Sequence, residues 1–178
     1  MSEQIFDIPW DRFQALTPAE KAPYLMQEGG APYHTLFAQQ FGAEMLDDLA
    51  RLANKIRAIA KTRAGTEFLK TQVAHKRAML YFSQPSSRTF LSFMSACQIL
   101  GVPTGEVRDT SISSEFKGES REDSVRTFSS YFDLIIMRTP EKGLAEHMAW
   151  VLSNSERPIP IINAGSGQDQ HPTQALLD

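Results

Sequence analysis

Four short apolar runs, each followed by a polar loop and a stretch of helical periodicity, constrain this chain more than any other feature. The runs are Ala78–Phe82, a weaker one at Thr104–Arg108, Leu134–Met137 and Ile159–Ile162. Each is too short for a helix and suits a buried strand. Between them Arg88–Leu100, Glu119–Phe132 and Glu141–Leu152 carry apolar residues at spacings of three and four, and Gly101 supplies a C-cap after the first. Strand–helix alternation predicts an α/β fold, a parallel sheet with helices on both faces. Ahead of it, Leu46, Leu49, Ala53, Ile56 and Ala60 predict an amphipathic helix from Gly42 to about Arg63. The first residues read as irregular, with prolines at 9, 18, 23 and 32, apart from a capping box at Thr17-Pro18-Ala19-Glu20.

A sheet of this kind binds ligands beyond the carboxyl ends of its strands. The segments there are Ser83–Thr89, Asp109–Lys117, Arg138-Thr139-Pro140 and Asn163–His171. Together they would bring Arg88, Lys117, Arg138 and His171 to one rim, an arrangement suited to an anion. The chain as a whole carries a net charge of −3, so the site is local, and neither nucleic acid nor an anionic membrane is an expected partner. A single cysteine, Cys97, and the absence of a signal-like N-terminus predict a reducing, cytoplasmic setting.

Each segment also has an ordinary reading. Ser86-Ser87-Arg88-Thr89 opens a helix, where free N–H groups, hydroxyls and a guanidinium suit a phosphate; a plain serine N-cap fits the residues equally well. Lys117-Gly118 lies in a serine-rich loop that by itself reads as surface. Arg138 ends an apolar strand, where an unpaired charge is costly. His171 begins a helix, so the dipole disfavours its protonated form. It would then be a neutral donor to a developing oxyanion, or simply a cap. No Walker pattern is present, no Ser-His-Asp arrangement is legible, and His34, His75, His147 and His171 lack metal-ligand spacing. Neither metal nor cofactor is expected.

Ser86-Ser87-Arg88-Thr89 followed by Phe90-Leu91-Ser92-Phe93 resembles the Ser-Thr-Arg-Thr phosphate motif of the aspartate and ornithine carbamoyltransferases. Lys117-Gly118-Glu119-Ser120, Met137-Arg138-Thr139-Pro140 and Asn163-Ala164-Gly165, then Gln170-His171-Pro172-Thr173-Gln174-Ala175-Leu176-Leu177-Asp178, resemble the family's later blocks in order. The loop lysine and the His-Pro-Thr-Gln ending are similar to aspartate-type members. An ornithine- or other amine-specific member, or a non-catalytic carbamoyl-phosphate-binding module, is the alternative.

The resemblance implies that Ser86, Ser87, Arg88 and Thr89 hold the phosphate of carbamoyl phosphate. It implies that Thr89, Arg138 and His171 polarise its carbonyl oxygen and that Gln174 contacts its amide. Ser113 and Lys117 would reach a neighbouring subunit's site, making a homotrimer with shared active sites, with room for other pyrimidine-pathway or regulatory chains. The domains would be an extension at 1–32, a carbamoyl-phosphate domain at 33–170, and at 171–178 the start of a helix toward a second, L-aspartate-binding domain beyond this chain. On that expectation the chain alone carbamoylates aspartate poorly. Ser87 stands where the family usually has threonine, and Thr139 where it commonly has histidine.

Overall fold

The computed structural model describes residues 4–108, 120–167 and 169–176. The elements run α1 (Trp10–Ala15), α2 (Pro18–Lys21), α3 (Ala43–Ile59), α4 (Arg63–Gln72), β1 (Ala78–Phe82), α5 (Ser87–Leu100) and β2 (Thr104–Val107). They continue as α6 (Arg121–Tyr131), β3 (Leu134–Thr139), α7 (Leu144–Ser153), β4 (Ile161–Ser166) and α8 (Pro172–Ala175). Among the described residues the four strands form one all-parallel sheet in the order β2-β1-β3-β4. The order reverses between β1 and β3, which places the ligand-binding crevice at their carboxyl ends.

β1 shows why these residues make a central strand. All five of its residues are buried, and the alternation of the pleat splits them between two cores. Leu80 and Phe82 pack with Phe90 and Cys97 of α5, together with Ile136 and Ala164. Met79 and Tyr81 join the larger core with Ile135, Met137, Ile161, Val125 of α6 and the apolar face of α7. α5 ends where the sequence predicts, at Gly101 with φ +72°; a side chain there would also meet the Lys70 carbonyl at 2.0 Å.

The boundaries differ from expectation at several elements; β3, expected over Leu134–Met137, runs on to Thr139. The helix expected to run from Gly42 to about Arg63 stops at Ile59, and a separate helix, α4, starts after Thr62, whose hydroxyl caps the Gly65 N–H at 3.0 Å. β4 begins two residues late, after Pro160, and runs on through Asn163, Ala164 and Gly165 to Ser166. α7 starts at Leu144 rather than Glu141.

The N-terminal residues, irregular as their prolines suggest, share the larger core. Ile5, Ile8, Phe13, Leu25, Leu36 and Phe37 are buried with α7. The Trp150 indole donates to the Ile8 carbonyl at 2.8 Å. Lys21 makes a buried ion pair with Glu146 at 2.5 Å, with its ammonium over the rings of Phe13 and Phe37. His34, fully buried, accepts from the Ile161 N–H at 3.0 Å through Nδ1 and meets the Ser153 hydroxyl at 2.9 Å through Nε2. α3 contrasts with this segment: it buries no residue, and Leu46, Leu49 and Leu52 of its apolar stripe stay exposed.

Candidate functional site

The start of α5 does not carry the ordinary serine cap. Four other helices begin on a side chain that accepts an N–H of the first turn: Thr17 from Glu20, Thr62 from Gly65, Ser120 from Asp123 and His171 from Gln174, while α1, α3 and α7 begin on Pro9, Gly42 and Gly143, which offer no capping side chain. Ser86 occupies the same position before α5 and makes no such bond. Its hydroxyl lies 3.0 Å from the Thr89 hydroxyl instead. The first-turn N–H groups of Ser87, Arg88 and Thr89 have no carbonyl one turn back to pair with, so they point out of the helix beside two hydroxyls. Arg88 is exposed and makes no ion pair among the described residues. Its charge and the positive end of α5 therefore act at one place.

Arg88 and Thr89 line a cavity of about 330 Å3 with His171, Gln174, Thr173, Ser92, Phe93 and Ala96. A larger groove of about 700 Å3 lies against α3, where Leu49, Leu52, Ile162 and Leu176 make it predominantly apolar and ill-suited to an anion. The smaller cavity holds the cation, the hydroxyl and the imidazole.

Arg138 comes to this place from the end of β3. Its Nη1 donates to the Ala164 carbonyl at 2.9 Å, while its Nε is buried with no hydrogen-bond partner among the described residues. Burial lowers its pKa from the ordinary arginine value, a sign of a cation held at a desolvation cost. The exit from β1 is tied to it, since the Ser83 N–H donates to the Arg138 carbonyl at 2.9 Å. Gly165, at φ +119°, lets Arg138 and His171 approach each other. A Cβ there would fall 2.2 Å from Arg138 Nη1 and 3.2 Å from His171 Cδ2.

His171 Nδ1 accepts from the Gln174 N–H at 3.3 Å and lies 3.3 Å from the Thr173 hydroxyl. With Nδ1 as acceptor, a neutral ring carries its proton on Nε2. The pKa of His171 is lowered, first by burial and then by the Arg138 charge. The ring is therefore kept neutral, as the sequence suggests, with burial and the Arg138 charge as causes.

Of the residues singled out from sequence, Arg88, Thr89, His171 and Gln174 line this cavity; Ser86 meets Thr89, Ser87 opens α5, and Arg138 lies beside His171 across Gly165. Ser113 and Lys117 lie outside the described residues. Thr139 is wholly buried, and its hydroxyl accepts from the Glu141 N–H at 3.2 Å, holding the turn after β3. Sequence reasoning missed the parts of Asn163 and Gly165, and it missed Arg108, whose guanidinium stacks 4.3 Å from the Phe90 ring next to Thr89.

Residues 33–178 match the family model for the aspartate/ornithine carbamoyltransferase carbamoyl-P binding domain. A chloroplastic aspartate carbamoyltransferase of Arabidopsis thaliana is 42% identical over 144 residues, covering 79% of this chain and 34% of the relative. The aspartate carbamoyltransferase catalytic subunit of Methanococcus maripaludis is 37% identical over 145 residues, covering 82% of this chain and 45% of the relative. Among solved structures, Trypanosoma cruzi aspartate transcarbamoylase with carbamoyl phosphate and aspartate superposes with a TM-score of 0.70 at 35% identity, covering 82% of this chain and 42% of that one. The chain thus spans less than half the length of the relatives it matches.

Proposed function

The chain belongs to the aspartate/ornithine carbamoyltransferase family, and on that premise we propose that it is the carbamoyl-phosphate-binding half of an aspartate carbamoyltransferase. The observation that carries this reading is the uncapped start of α5, where the Ser86 hydroxyl meets that of Thr89, and Arg88 and Thr89 line the cavity that His171 and Gln174 complete. The phosphate of carbamoyl phosphate sits on the N–H groups of Ser87, Arg88 and Thr89. Its carbonyl oxygen faces Thr89, Arg138 and the Nε2–H of a neutral His171, and its amide faces Gln174. The aspartate amine attacks the carbonyl carbon, a tetrahedral intermediate collapses, and inorganic phosphate leaves with its charge met by Arg88. The product is N-carbamoyl-L-aspartate, as in pyrimidine biosynthesis.

On this reading the rate comes from positioning and from donors already aimed at the developing oxyanion, with no covalent enzyme intermediate and no cofactor. The Arg138 Nε, buried and without a hydrogen-bond partner among the described residues, supports it, because a carbonyl or phosphate oxygen would offset the cost of burying that donor. Ser113 and Lys117 complete a neighbouring subunit's site in a homotrimer, and L-aspartate binds to a second domain of the enzyme. No described helix is long and apolar enough to cross a membrane; the cytoplasm is the proposed compartment. Calorimetric titration of carbamoyl phosphate into the folded chain and into Arg88→Ala tests the reading. Heat from the first and none from the second supports it; no heat from either overturns it.

A further inference from the structure

Asn163 is 2% exposed and uses its amide in three directions. Its Nδ2 donates to the Leu36 carbonyl and to the Ser166 hydroxyl, each at 3.3 Å, and its Oδ1 accepts the Gly165 N–H at 2.9 Å. With both ends engaged, the planar amide has no free rotation. Holding the Gly165 N–H sets the turn at φ +119°, and the carbonyl immediately before that turn, Ala164, is the one that receives Arg138 Nη1 at 2.9 Å. On the other side, the Ser166 hydroxyl and N–H donate to the Gln170 carbonyl at 3.4 and 3.0 Å, one residue before His171. One buried amide is thus connected, through the Ala164–Gly165 turn and through Ser166 and Gln170, to two of the groups that face the carbonyl oxygen.

We infer that Asn163 is a positioning residue that orients Arg138 through the Ala164 carbonyl and His171 through the Ser166–Gln170 bridge, an inference that rests on the carbamoyl-phosphate reading of the site. A role confined to stability predicts something else. If Asn163 only joined the Leu36 segment to β4, its loss would lower the melting temperature and leave the site groups as they are.

The test compares the unmutated chain with Asn163→Ala, Ser166→Ala and, as a destabilised control remote from the site, Leu152→Ala. Three quantities are read on each: the melting temperature, carbamoyl phosphate affinity by calorimetry, and the ligand-free titration of the His171 ring by NMR. Asn163→Ala is expected to weaken binding on the order of tenfold, since a small displacement of a positioned cation is costly. It should also raise the His171 midpoint toward the ordinary histidine value, because Arg138 is no longer held beside the ring. Ser166→Ala should shift both in the same direction by less, and Leu152→Ala should change the melting temperature alone. A folded Asn163→Ala with unmutated affinity and an unmoved His171 titration overturns the inference. If Asn163→Ala does not fold, Ser166→Ala decides, and control-like values from it are the overturning result. Should the unmutated chain bind no carbamoyl phosphate, the functional reading falls, while the His171 titration still decides whether Asn163 positions the pair.

Discussion

Replacing Gly165 by alanine should damage the site and the fold together, and the structure sets the size of both effects. The new Cβ would lie 2.2 Å from Arg138 Nη1 and 3.1 Å from its Cζ, at a backbone φ of +119°. Holding an L-residue in that region costs about 1–3 kcal/mol. Moving the guanidinium off the Ala164 carbonyl forfeits a charge-assisted hydrogen bond, which adds roughly 1.5–3 kcal/mol. A total of roughly 2.5–6 kcal/mol should lower the melting temperature by about 5–24 °C for a chain of this length. Carbamoyl phosphate affinity should fall on the order of tenfold or more, because Arg138 and His171 flank the same glycine. Gly143→Ala is the matched control. Its φ is +78°, but no atom lies within 4 Å of the added carbon, so it should show backbone strain without loss of binding. Thermal unfolding by circular dichroism and calorimetry on the two variants give the comparison. If Gly165→Ala behaves like Gly143→Ala in both measurements, the close approach of Arg138 to this turn is wrong.

Three further outcomes follow from the same contacts. Burial pushes the His34 pKa down from 6.5 to about 3. The unfolded chain therefore takes a proton near 6.5 that the folded one refuses, so His34's contribution is complete above 6.5 and is lost as pH falls toward 3. Urea midpoints should drop across that window by up to about 1.4 kcal/mol per pH unit, and His34→Gln should remove that component of the slope. Glu146→Ala leaves Lys21 buried without its partner and should cost about 3–5 kcal/mol, while a Lys21→Met, Glu146→Leu double variant should recover much of it on a denaturation curve. Arg88→Ala should leave stability within about 0.5 kcal/mol, since the side chain is exposed and makes no ion pair among the described residues, yet remove anion binding.

What could be read from the sequence was whatever local pattern determines. β1, α5 and the Gly101 cap follow from short-range periodicity and a backbone angle that glycine favours, and they stand where expected. α4 escaped because Arg63–Gln72 carries few apolar residues and buries only Leu69, leaving a weak stripe to detect. β4 extends through small and polar residues that look like loop. They are strand because β3 pairs with them and Asn163 satisfies groups far away in sequence. The same distance hid the packing of the N-terminal segment: Lys21 finds Glu146, and His34 finds Ser153 and Ile161, with no signal at either end. At the site, residue types identified Ser86, Arg88, Thr89, Arg138 and His171. They could not say whether Ser86 caps its helix, because that depends on a rotamer that turns its hydroxyl to Thr89.

The central claim is that the uncapped first turn of α5 receives the phosphate of carbamoyl phosphate. The most direct test is amide chemical-shift mapping of the chain during titration with carbamoyl phosphate. The account predicts the largest saturable shifts at the Ser87, Arg88 and Thr89 N–H groups, with smaller ones at Gly165 and Gln174. Saturable shifts that leave residues 87–89 unmoved, or none at millimolar ligand from a folded chain, would contradict it.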